Sequence, residues 1–174
     1  MLKNFDLVGN LTEAQIQKIA SICESRTYKQ GELVFQENEC PNSIYFLVSG
    51  EVSLNKMEPQ TGQNIQFKKM HSGQSFGEMS FMDGSPTSCS VKAESDSHIY
   101  ILSKQKLISS MPDALKIINL MSTAITYQVN EYLRYLSDRY VIGLQQQIES
   151  LKDFNYFLLF ILVRMHQINV EEDG

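Results

Sequence analysis

Between Thr27 and Leu102 the chain breaks into short β-rich runs separated by turn residues, and this punctuation constrains the fold more than any other feature. The runs are Leu33 to Phe35, Ile44 to Val48, Val52 to Leu54, Ile65 to Phe67, Cys89 to Val91 and His98 to Leu102. The breaks fall at Gly31, Pro41-Asn42, Ser49-Gly50, Thr61-Gly62, Ser72-Gly73 and Asp83 to Pro86. Many short strands at this spacing predict a β-sandwich or barrel. Gly62 sits between two alternating runs and marks a hairpin. Antiparallel hairpins stacked in this way predict a jelly roll. At 174 residues the chain has room for one such domain and one long additional element.

Helices flank the β-rich region. Thr12 and Gln15 form a capping box, Leu11 and Ile16 a staple, and Ile16, Ile19, Ala20 and Cys23 line one apolar face of a helix ending near Glu24. Ser103 to Ile108 reads as a short helix, and Pro112 opens a long one reaching about Leu151. Along it Ile118, Met121, Ile125, Val129, Tyr132, Leu136 and Tyr140 recur at steps of three and four. A seam of that length exceeds what one small sandwich can cover. Self-association is therefore expected, the alternative being that the helix folds back on its own domain. Gly143 and Gln145 to Gln147 interrupt the seam, where the pairing loosens or the helix bends. Phe154 to Val163 is apolar on every side and calls for burial on a partner subunit, on the sandwich or on another protein.

The stretch from Ser75 to Val91 has the order needed to hold a small anionic ligand. Gly77 permits close approach of the backbone, and Glu78 opens a short helix and offers an acceptor for a hydroxyl. Thr87 and Ser88 return opposite it with donors. Phe76-Gly77-Glu78 and Pro86-Thr87-Ser88 resemble the opening and close of the phosphate-binding cassette of cyclic-nucleotide-binding domains. Gly31 to Phe35, Ile44 to Val52 and Ser72 to Glu78 are similar to successive signatures of that family, in the same order and at matching intervals. The resemblance covers roughly residues 5 to 140 and implies a cyclic-AMP-receptor-like regulator. It implies an α+β, mainly β architecture: a double-stranded β-helix (jelly roll) with an N-terminal helix and a long C-terminal dimerisation helix. Asn38 stands where a glycine is common, and Asn tolerates φ > 0 better than most residues.

The resemblance also implies roles. Glu78 would accept from the ribose 2′-hydroxyl, and Phe76, Gly77, Met79, Pro86, Thr87 and Ser88 would frame the cyclic phosphate. The family's arginine falls at Thr87, and no Lys or Arg lies between Ser75 and Val91. A charge-assisted hydrogen bond contributes about 1.5–3 kcal/mol, so its loss weakens a cyclic nucleotide roughly 10- to 150-fold. The ligand is accordingly cyclic AMP or cyclic GMP bound weakly, another small molecule, or none. In ungapped matching from Pro112, Val129 and Asn130 take the base-facing positions, and Asn130 can pair with a base edge.

Other functions find little support. The net charge of −5 argues against a nucleic-acid surface. Cys23, Cys40 and Cys89 show no zinc spacing and read as free thiols of a reducing compartment. His71, His98 and His166 form no triad or metal pattern, so no catalytic or metal-binding residues are assigned. No apolar run reaches a membrane span, no signal peptide opens the chain, and a cytoplasmic location is expected. The expected organisation is a ligand-binding roll over 1–110, a dimerisation helix over 111–151 and an apolar helical tail over 152–174. The expected function is a non-enzymatic sensor, homodimeric through the 112–151 helix and lacking a DNA-binding module. The alternatives are a truncated DNA-binding regulator of the cyclic-AMP receptor family, or a partner-docking protein working through 154–163.

Overall fold

A computed structural model describes residues 2–172, with side chains over 2–155 except Gln128, Glu131, Tyr132, Tyr135, Leu136 and Asp138. Two 3₁₀ turns, Leu2–Asn4 and Asp6–Val8, lead into α1, Glu13–Ile22. Both halves of the Thr12/Gln15 capping box form. The strands are β1 Glu24–Tyr28, β2 Leu33–Phe35, β3 Ser43–Ser49, β4 Glu51–Met57, β5 Asn64–His71, β6 Ser75–Phe76, β7 Ser90–Ala93 and β8 Ser97–Ser103. Between β6 and β7 lies a six-residue helix, α2, Glu78–Asp83, and after β8 come α3, Lys104–Ser110, and α4, Ala114–Glu172.

The strands make two four-stranded sheets, β1-β8-β3-β6 and β2-β7-β4-β5, and every pairing is antiparallel. This is the jelly roll expected from the punctuation, and Gly62 sits in the β4–β5 hairpin. Asn38 adopts φ +70°, the conformation that a glycine would otherwise supply. Two strands extend what the sequence pattern showed. β1 is a mostly exposed run of polar residues, and β6 is two residues long.

β3 explains how the roll and the helices share one sheet. Ile44 and Phe46 point into a cluster with Leu2, Phe5, Ile19, Leu107 and Ile117, where Phe5 meets Phe46 edge-on at 5.1 Å. Tyr45 and Leu47 point the other way, into the interior with Phe35, Val52, Met70 and Phe76. Both faces of β3 are covered, so its sequence is an unbroken apolar run rather than an alternating one.

The chain divides into two compact units, Met1–Tyr127 and Gln128–Gly174. In the first, Ile118, Met121 and Ile125 of α4 are buried in the helical cluster. The start of the expected self-association seam therefore folds back on its own domain, because the outer face of β3 and β8 needs that cover. In the second unit, Val129 is 45% exposed and Tyr140 69% exposed. Tyr132 and Leu136 lie outside the described side chains. α4 runs on through Gly143 and past Leu151, and Val141, Leu144, Ile148 and Leu151 continue an exposed apolar stripe at steps of three and four. A single glycine costs a helix only about 1 kcal/mol, and glutamine is a good helix former, so neither ends it. Phe154 is exposed, and the rest of the apolar run to Val163 lies outside the described side chains apart from Asn155. Among the described residues no helix is long and apolar enough to cross a membrane.

Candidate functional site

The site is built on the crossing from β6 to α2. Phe76 pairs with Tyr45 in the β3–β6 ladder and stacks on its ring at 5.2 Å and 5°. It is only 3% exposed and belongs to the roll's core, supporting the site from beneath. The backbone then presses onto β3 at Gly77, which has φ +82°. A Cβ at Gly77 would lie 2.7 Å from the Ser43 carbonyl oxygen and 2.8 Å from Tyr45 Cδ2. Only glycine satisfies both the conformation and the contact.

That turn delivers Glu78 to the first position of α2. Its Oε2 atom is buried and has no hydrogen-bond partner. Burial pushes the carboxyl above the ordinary carboxylate range, while its own backbone N–H and the charge of Lys68 pull it partly back. Ser80 Oγ, two residues further on, is likewise buried without a partner. Buried polar atoms are nearly always satisfied, so an orphaned carboxylate oxygen marks a place where a donor is missing.

The return side of the cassette is tied down rather than open. Thr87 is 6% exposed, and its hydroxyl donates to the Gln36 carbonyl at 2.7 Å. Its backbone N–H donates to Glu39, 2.7 Å away, and its carbonyl accepts from Asn38 at 2.9 Å. The Thr87 proton expected to face a ligand is thus committed to the loop after β2. Pro86 and Ser88 are exposed, and Met79 is 62% exposed beside Glu78. At the far end of α2, Lys104 donates to the Met82 carbonyl at 3.0 Å and lies 5.8 Å from the Phe81 ring centre. That contact closes the helix C-terminus with a cation, the favoured sign there. Asn130 is exposed on α4 and falls in the second compact unit.

Sequence reasoning placed Gly77, Glu78 and the return at Thr87. It missed Ser80, Lys104 and Lys68, whose strand continues beyond the recognised run to Phe67. His71 pairs with Glu51 at 3.1 Å and His98 with Ser25 at 2.7 Å, both on exposed surface. Burial raises the Cys23 thiol to about 12 and also raises that of Cys89. No group of three or more His, Cys, Asp or Glu residues among those described is arranged to hold a metal.

The architecture is thus an eight-stranded jelly roll whose glycine-to-acid turn leaves one buried carboxylate oxygen without a partner. A sequence model of the cyclic nucleotide-binding domain matches residues 25–111, half of the chain. The chain belongs to that family. It is 29% identical over 118 residues to the cAMP-dependent protein kinase regulatory subunit of Hypocrea atroviridis, covering 66% of this chain and 24% of that protein. Among solved structures it resembles a cyclic nucleotide-binding domain from Methylobacillus flagellatus at TM-score 0.66 and 22% identity, over 79% of this chain and 77% of the other. The catabolite activator protein of Thermus thermophilus matches at TM-score 0.64 and 23% identity, over 76% and 60%. These two likenesses show the fold. The chain spans about a quarter of the length of the first relatives it matches.

Proposed function

We propose that the chain is a non-enzymatic regulatory module whose cassette takes a cyclic nucleotide weakly, the family pocket being retained in shape and altered in chemistry. The observation that carries this reading is the buried, partnerless Oε2 of Glu78 behind a turn that only glycine can make. Glu78 accepts the ribose hydroxyl, and the backbone at Gly77 and Met79 frames the phosphate. The rim at Pro86 and Ser88 closes the pocket, while Thr87 holds the rim to the loop at 36–39. With threonine at position 87 the cassette lacks the bidentate cation that would hold the phosphate tightly. Calorimetric titration with cyclic AMP and cyclic GMP tests this. Saturable binding weaker than low-micromolar is expected. No binding of either nucleotide overturns ligand sensing, and low-micromolar or tighter binding overturns the altered chemistry.

The same reading gives residues 1–110 the ligand and assigns coupling and homodimerisation to 111–151. Exposed Val129, Leu133, Tyr140, Leu144, Ile148 and Leu151 support the dimer, since a stripe of this size along one helix favours a matching stripe on a second copy. Leu144→Ala should weaken self-association roughly tenfold, consistent with partial loss of one buried leucine side chain. Light scattering across a concentration series reads this. A chain that stays monomeric at every concentration removes the dimer from the account. The kinase regulatory subunit among its relatives fits a module that acts on a partner, and the free thiols of Cys23, Cys40 and Cys89 fit a reducing cytoplasmic compartment.

A further inference from the structure

The cassette supplies no cation between Ser75 and Val91, yet another strand of the roll carries one, Lys68 on β5. In the β4–β5 ladder Met70 lies opposite Val52, and Lys68 opposite Leu54. Residues directly opposite share a face. Val52 and Met70 are in the interior cluster and Leu54 packs against it, so Lys68 leaves the same inner face. Lys68 is itself exposed, which puts it where that face opens to solvent. The ladder shifts by one residue immediately beyond, leaving Phe67 without an opposite number. The bulge re-aims this end of β5. Met70, two residues along the same face from Lys68, shares the interior cluster with Phe76, two residues before Glu78, and the charge of Lys68 draws the Glu78 carboxyl partly back toward its ordinary range.

We propose that Lys68 is the anion-binding residue of this pocket, supplying from β5 the charge that position 87 does not. The inference rests on the proposed ligand-binding function and deepens it. The ligand class is one carrying a hydroxyl for Glu78 and an anionic group for Lys68, as a cyclic nucleotide does. A lysine ammonium is a point charge without the fork of an arginine, so it gives weaker and less directional binding. Lys68 in this role is therefore compatible with a pocket that binds, but weakly.

The test uses the full chain and two probes, cyclic AMP and uncharged adenosine, followed by amide chemical shifts so that millimolar affinities are readable. Lys68→Met should weaken cyclic AMP roughly 10- to 100-fold and leave adenosine unchanged, while Lys68→Arg should keep cyclic AMP binding. Lys68 is exposed on β5, so both variants should remain cooperatively folded, with denaturant midpoints near that of the wild type. Unchanged cyclic AMP affinity in Lys68→Met overturns the assignment while leaving ligand binding intact. Equal weakening of cyclic AMP and adenosine also overturns it, since Lys68 would then act only through Glu78. Failure of the wild-type chain to bind either probe overturns the ligand reading, and the Lys68 assignment with it.

Discussion

Gly77→Ala should destabilise the first unit by about 2–5 kcal/mol and abolish ligand binding. Two costs add. A left-handed backbone conformation costs an alanine about 1–2 kcal/mol. The new methyl would also meet the Ser43 carbonyl at 2.7 Å and the Tyr45 ring at 2.8 Å, and forcing extra volume into a packed site costs about 1–3 kcal/mol. Tyr45 cannot retreat easily, because its ring is stacked on Phe76 and lies 5.0 Å from Phe35. Gly73 is the control. It shares a positive φ, +91°, but faces open space, so Gly73→Ala should cost only the conformational part, about 1–2 kcal/mol. Urea unfolding of the three proteins measures the difference. Equal costs at the two positions would mean that the turn onto β3 is not tightly packed.

Glu78→Gln should act in opposite directions on stability and on binding. With no ligand, the substitution removes a buried charge that is only partly compensated, one oxygen having no hydrogen-bond partner, so stability at neutral pH should be unchanged or higher by about 1 kcal/mol. Binding of a cyclic nucleotide should fall roughly 10- to 150-fold, because the hydroxyl loses a charged acceptor. The wild-type protein carries a matching pH signature. The folded-state pKa of Glu78 is raised above its unfolded value, so between the two values the folded state binds more protons. Stability must then decline as pH rises from the unfolded pKa through the folded one, and level off above it. Glu78→Gln should remove that decline. Denaturant midpoints for both proteins over the acidic range read it, and identical profiles would show that Glu78 is not buried in the charged state.

The fold was legible wherever burial left a mark on composition. β3 and β8 read as apolar runs, and the Thr12 capping box and the Gly62 turn announced themselves by residue type. β1 was not legible, since Glu24 to Arg26 are exposed polar residues, and only pairing with β8 makes them a strand. The apolar positions of α4 were visible, but which of them the protein covers by itself was not. Ile118 and Met121 look no different in sequence from Leu144 and Ile148, yet the first two are buried and the second two exposed. In the site, the likeness of Phe76-Gly77-Glu78 to the cassette opening located Glu78, and glycine followed by a helix-start acid is an order that a tight turn feeding a helix favours. Thr87 shows the opposite case. A hydroxyl suggests a donor to ligand, and nothing in its neighbours reveals that the Gln36 carbonyl takes the proton. Lys68 escaped notice because its relation to Glu78 depends on strand register.

The central claim is that the open carboxylate of Glu78 recognises a ligand hydroxyl, and comparing cyclic AMP with its 2′-deoxy analogue on the wild-type chain tests it most directly. The account predicts that the deoxy analogue binds at least about tenfold more weakly. It also predicts that the gap largely closes in Glu78→Gln. Equal affinity of the wild-type chain for the two nucleotides would contradict it.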